Sequence, residues 1–205
     1  MVCSRGCDLT ALYRGVAVNA VEQKAVFLPL PIDNFAIPQR WRGKNVLLVP
    51  AAPEWAALDF SAVVECRTSL KHFFGSADTW PPDELTLEED RADLAWHKRE
   101  FDAKSSFAYH LLDHDASECL GCLYLYPTAA QEHDAEAYLW VHTRLAQVQA
   151  TFIENEVIEW VRQCWPFSAV AWPGRFIPFT DWEVAARPNY YASNRVSDTP
   201  LNIGI

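Results

Sequence analysis

Glycine is scarce in this chain: there are 7 among 205 residues, and none lies between Gly121 and Gly174. A dinucleotide fingerprint and a nucleophile elbow both need closely spaced glycines, and neither motif is present. Basic residues are also few. Lys and Arg total 17 against 27 Asp and Glu, a net charge of −10, with no basic run or stripe. A negative field of that size repels nucleic acid and anionic membrane surfaces, so neither is expected as a partner. No apolar run reaches the ~20 residues needed to cross a bilayer. Arg14, Glu22 and Lys24 interrupt what would be the apolar core of a secretory leader, so a cytoplasmic location is expected. There the 6 cysteines remain thiols, not a disulfide framework.

Aromatic residues are plentiful: 9 Trp, 7 Tyr and 11 Phe. With half of all residues hydrophobic, the chain should bury one full core, with ring surface left for a pocket or an interface. The N-terminal extension, 1–40, carries Pro29, Pro31 and Pro38, which forbid regular structure, after a short strand candidate at 25–28. Residues 45–49 read as a strand. Trp55, Leu58, Ala62 and Cys66 follow at helical spacing, and a second short helix is expected over 68–74, stopping at Gly75. Thr86 and Glu89 form a capping-box pair at the head of an amphipathic helix marked by Leu87, Leu94 and Phe101.

Residues 107–112 and 120–126 are aromatic and aliphatic, joined by a polar turn, which signals a hairpin. A third strand over 135–141, a helix over 148–164 and a last strand over 168–172 complete the series. The reading is a single α/β (α+β) domain, a central mixed sheet flanked by helices, spanning 41–175. The aromatic segment 176–205 packs on it. Ring surface left bare there would bring two copies together as a homodimer.

Strand, strand, strand, helix, strand is a restricted topology, because a strand–helix–strand unit in one sheet implies a right-handed crossover and a parallel pair. With a strand and helices before it, the order resembles the GNAT superfamily of N-acetyltransferases. The stretches Phe107-Ala108-Tyr109-His110-Leu111-Leu112, Cys119 to Pro127, and Ala135-Glu136-Ala137-Tyr138-Leu139-Trp140-Val141 carry the resemblance. It implies acetyl-CoA as cosubstrate, lying between the strands at 135–141 and 168–172. Backbone groups of Leu139, Trp140 and Val141 would bond its pantetheine arm and polarise the thioester, and its pyrophosphate would sit at the N-terminus of the helix at 148.

The family's glycine-bearing phosphate loop is absent. Gln147 with Ala150 stands as its remnant, and Arg144 or His142 would supply charge. Glu136 is the candidate base, and Tyr190 or Tyr191 the candidate acid. The acceptor is expected to be an amine on a small molecule or a protein. The alternative is a non-catalytic domain of the same fold that binds a ligand or protein partner.

Cys119-Leu120-Gly121-Cys122 is a CxxC, but on a regular strand positions three apart face opposite sides. His110, His114, His133 and His142 show no convergent spacing, so no metal is expected.

Overall fold

A computed structural model describes residues 26–184 and 188–195. Part of the strand candidate at 25–28, the charged positions Arg14, Glu22 and Lys24, the cysteines Cys3 and Cys7, and the end of the C-terminal segment lie outside the described residues. Six strands form one sheet in the order β1 to β6: Trp41–Arg42, Leu47–Pro50, Phe107–Leu112, Cys119–Tyr126, Ala135–Val141 and Val170–Ala171. All neighbouring pairs are antiparallel except β5 with β6, which is parallel. Before the hairpin come α1 (Ala56–Leu70) and α2 (Leu87–Asp102); α3 (Gln147–Cys164) makes the crossover to β6. The short helices α4 (Phe179–Val184) and α5 (Tyr190–Arg195) follow. The architecture is therefore mixed α/β, with the strand order and directions that the GNAT resemblance implies. Among the described residues no helix is long and apolar enough to cross a membrane.

Strands β3 and β4 are buried along their whole length. Both faces of the sheet are covered, which is why their sequences run continuously apolar. One face carries Ala108, Cys122, Tyr124, Tyr126 and Tyr138 against α1 and α2. The other carries Phe107, Tyr109, Leu123, Leu125 and Leu139 against Ile153, Val157 and Trp160 of α3. The β1–β2 turn is clasped to α3 by the Glu156 carboxylate, which accepts from the backbone N–H groups of Lys44 and Asn45 and from the Asn45 side chain. The capping box forms: Glu89 N–H donates to Thr86 Oγ1 at 3.2 Å, and Thr86 N–H donates back to Glu89 at 2.8 Å.

Three expectations are corrected. α1 runs through to Leu70 and the chain then turns, so no second helix forms over 68–74. The last strand is only Val170–Ala171, because the chain bends away at Pro173 and Gly174. The CxxC does not split across the sheet. Between Leu111 and Leu112 the β3–β4 register shifts, with Leu112 opposite Cys119 and Leu111 opposite Gly121. Leu120 is the extra residue of a β-bulge, and Gly121 adopts a φ of 149° to make it. The bulge resets the alternation, so Cys119 and Cys122 face the same core.

The helices bury polar residues in that core. Asp59 lies on the buried stripe of α1, and Asp90 and His97 on that of α2, whereas Leu87 is exposed. Burial pulls the His97 imidazole down to about 4 from its ordinary 6.5. Below pH 6.5 the unfolded chain then takes up a proton that the folded chain refuses. The stability from neutral His97 is complete above pH 6.5 and is lost as the pH falls toward 4, on the order of 3 kcal/mol in all. His97 stacks on Tyr191 at 5.6 Å, so His97→Phe keeps the ring and removes the titration. Urea midpoints measured from pH 7 to 4 should fall less for His97→Phe than for the native chain; parallel curves would refute the assignment.

Candidate functional site

The site begins where β5 and β6 part. Asp134 fixes their common start: its carboxylate accepts from the N–H groups of Ser168 and Ala169 at 2.6 and 2.9 Å, and its own N–H donates to Ala169 at 2.7 Å. Asp134 thus lies just before β5. Pairing continues only through Ala135 with Val170 and Glu136 with Ala171. From Ala137 onward β5 has no strand on its outer side among the described residues.

Leu139 turns its carbonyl to that side, where Arg175 Nη2 donates to it at 3.0 Å. In an extended strand the N–H and C=O of one residue point the same way, so the N–H of Leu139 and, two residues on, that of Val141 also face the splay. Trp140, between them, turns its side chain into the α1–α2 core instead. The splay is tightly filled. Its cavity is about 70 Å³, bounded by Ala137, Leu139, Trp172, Arg175 and Phe179. Arg175 is also paired with Glu154 of α3 at 2.9 Å. Phe152 of α3 stands in solvent, 59% exposed.

The N-terminus of α3 begins at Gln147 with Ala146 as N-cap, with no side-chain cap and no acidic residue in the first turn. Its leading N–H groups lack a side-chain acceptor, which suits an anion. Arg144 is not aimed there: it is paired with Glu118 at 2.8 Å and lies 3.9 Å from Glu65. His142 Nε2 lies 3.3 Å from the same Glu65. Gln147 Nε2 donates to Thr151 Oγ1 at 3.5 Å.

Beside the splay, and sharing Phe179 with it, opens a larger pocket of about 560 Å³. Phe74, Trp80, Trp182 and Tyr191 supply its aromatic walls, and Asp78, Glu183 and Arg195 its charges. Burial pushes the Asp78 carboxyl above its ordinary range, against the pull of its bonds from the Trp80 and Phe74 N–H groups. Arg195 is held by Asp93 at 2.9 Å and lies 5.0 Å over the Tyr191 ring.

Tyr138, on β5, lines this pocket and connects it to the core. Its hydroxyl donates to Glu136 Oε2 at 3.0 Å and accepts from Asn189 Nδ2 at 3.1 Å. Glu136 is fully buried, and its second oxygen accepts from Thr128 Oγ1 at 2.9 Å. Burial and the adjacent Glu136 raise the Tyr138 hydroxyl far above its usual range, so it stays protonated. Glu136 therefore meets the pocket through Tyr138. Strand alternation puts Tyr138 on the face of Glu136, which was the one signal in the sequence for this pair.

The two C-terminal tyrosines lie apart in role. Tyr191 is a buried pocket wall whose hydroxyl donates to Asp93 at 3.0 Å. Tyr190 donates to Glu100 at 2.7 Å and lines a different recess beside Phe27 and Pro127.

No family model and no curated protein matches this sequence. Among solved structures, the chain is similar to the ribosomal-protein-S5-alanine acetyltransferase from Vibrio fischeri, at 11% identity over 60% of this chain and 66% of that one, with a TM-score of 0.46. It is also similar to the Salmonella typhimurium acetyl transferase that modifies the N-terminal serine of ribosomal protein L7/L12, at 12% identity, 59% and 66% coverage and a TM-score of 0.45. A third is RimL, the L7/L12 α-N-protein acetyltransferase, in complex with coenzyme A, at 17% identity, 62% and 68% coverage and a TM-score of 0.46. The chain thus spans about two thirds of the length of each. The likeness is one of fold, at identities too low to carry substrate or activity across.

Proposed function

We propose that the chain is a GNAT-like N-acyltransferase that takes an acetyl group from acetyl-CoA laid along the free edge of β5. The acceptor is an amine held in the aromatic pocket. The observation that carries the reading is the parallel pair β5–β6, pinned at its start and no longer strand-paired from Ala137, with the Tyr138–Glu136 pair at the wall of the adjoining pocket.

In this reading the N–H groups of Leu139 and Val141 bond the arm and the thioester oxygen, and the leading turn of α3 holds a phosphate. The amine nitrogen attacks the thioester carbon. Its proton passes to the Tyr138 oxygen as the Tyr138 proton passes to Glu136, and the C–S bond then breaks. The proton returns along the same pair to the leaving thiolate. Asp78, Glu183 and the ring walls favour a cationic or aromatic amine. Tyr191 shapes the pocket and Tyr190 lies outside it.

A bound arm requires Arg175 to leave the Leu139 carbonyl. Releasing that charge-assisted bond costs about 1.5 kcal/mol, so Arg175→Ala should tighten acetyl-CoA binding by about tenfold. Calorimetry reads the change; equal or weaker binding would contradict an Arg175 gate. The reading as a whole is tested by release of free coenzyme A when the chain meets acetyl-CoA and a panel of aromatic and aliphatic amines. No release above the amine-only background would count against it.

A second reading rests on the closed splay and the glycine-free loop: a non-catalytic domain of this fold that binds a small aromatic or cationic ligand in the 560 Å³ pocket. It predicts a thermal shift with such ligands and none with acetyl-CoA.

A further inference from the structure

Away from the splay, four metal-ligating side chains meet inside the α1–α2 core. Asp59 comes from α1, His110 from β3, and Cys119 and Cys122 from the bulged start of β4. One donor atom each from Asp59, His110 and Cys122 lies within 4.8 Å of the others. His110 Nε2 is 3.0 Å from Asp59 Oδ1, Cys122 Sγ is 3.3 Å from the same oxygen, and Cys119 Sγ is 3.9 Å from it. All four residues are buried.

We propose that Asp59, His110 and Cys122, with Cys119 as the adjacent fourth donor, form a closed structural site for a thiophilic divalent cation such as zinc.

Donor chemistry supports this first. One carboxylate oxygen, one imidazole nitrogen and two sulfurs are a zinc set, whereas calcium and magnesium require oxygens. Distances support it next. A tetrahedral ion with ligands at about 2.0–2.3 Å needs its donor atoms roughly 3.3 to 3.8 Å apart. Asp59 Oδ1 stands 3.0, 3.3 and 3.9 Å from the other three donors, separations that bracket that range.

A third observation is independent of the spacing. Among the described residues neither nitrogen of His110 has an assigned hydrogen-bond partner, although Nε2 lies 3.0 Å from Asp59 Oδ1. A fully buried imidazole left in that state is costly. A metal bond at Nε2 removes the cost at that atom. The bulge supplies the last argument. Without the positive φ at Gly121, Cys119 and Cys122 would sit on opposite faces of the sheet; with it both thiols reach Asp59. Loading deprotonates the two thiols and releases their protons to solvent; no electron is transferred. Because the site is closed, the ion enters as the fold forms.

The test uses the full chain, expressed with zinc in the medium and purified without chelator. Elemental analysis should find about one zinc per chain. Unfolding in chelator and refolding with cobalt(II) should give intense tetrahedral d–d bands and a thiolate-to-cobalt charge-transfer band. Cys122→Ser should weaken or shift the charge-transfer band, and Cys164→Ser, at an exposed free thiol, should leave it intact. If Cys122→Ser does not fold, the native chain still decides: removing zinc should lower its Tm, and adding zinc back should restore it. Metal at the buffer-blank level, together with no charge-transfer band after refolding in cobalt, overturns the proposal. The cluster would then be an Asp59–His110 ion pair with two thiol donors.

Discussion

Glu136→Gln is expected to lower kcat for acetyl transfer by about 10² to 10³ while changing KM little. The Gln side chain keeps the volume, accepts from Tyr138 and remains beside Thr128, so the fold should persist. What it loses is the capacity to take the proton that Tyr138 gives up. Tyr138→Phe should lose a similar factor, because it cuts the same path one atom nearer the pocket. The double variant should lose little more than either single one, since residues acting as a unit are not additive. Tyr190→Phe is the control: its hydroxyl is engaged by Glu100 outside the pocket, so kcat should stay within about twofold. A loss of less than about threefold for Glu136→Gln would remove the carboxylate from the chemistry.

The largest loss of stability is expected at Gly121. A Cβ there would sit 2.1 Å from the Trp140 carbonyl oxygen, and the φ of 149° is one that side-chain-bearing residues rarely adopt. The obstacle is the backbone of the paired strand β5, which cannot give way without breaking the β4–β5 ladder. Gly121→Ala should therefore destabilise the chain by roughly 3 to 5 kcal/mol. Gly43→Ala makes the comparison. The three atoms nearest its Cβ would belong to the Glu156 carboxylate and the Trp41 ring, which are side chains, so the cost should be smaller. Chemical denaturation of both variants measures the difference. A Gly121→Ala chain as stable as Gly43→Ala would show that β4 carries no bulge at this position.

Much of the sheet could be read in advance. Residues 107–112 and 135–141 are strands at the bounds that their aromatic and aliphatic content predicts, and the Thr86–Glu89 box opens α2 as its spacing requires. What escaped depends on contacts distant in sequence. Asp59, Asp90 and His97 carry no burial signal in the sequence, yet each occupies the buried stripe of its helix. The bulge at Gly121 defeats period-two counting and so hides the shared side of Cys119 and Cys122. The closure of the splay was equally invisible, since Arg175 meets Leu139 and Glu154 from the turn after β6. Glu136 is a candidate base from its strand position alone, and alternation places Tyr138 on its face. The contact of Tyr138 with Asn189 has no signal in the sequence, because Asn189 lies 51 residues away.

In the proposed function, acetyl-CoA lies along the free edge of β5 and over the head of α3. Titrating the full chain with acetyl-CoA while following backbone amide resonances should give shifts concentrated at Leu139, Val141 and Gln147 to Gln149, with β1 and β2 unmoved. Amide positions unchanged at Leu139 and Val141 at millimolar acetyl-CoA, in both the native chain and Arg175→Ala, would contradict it.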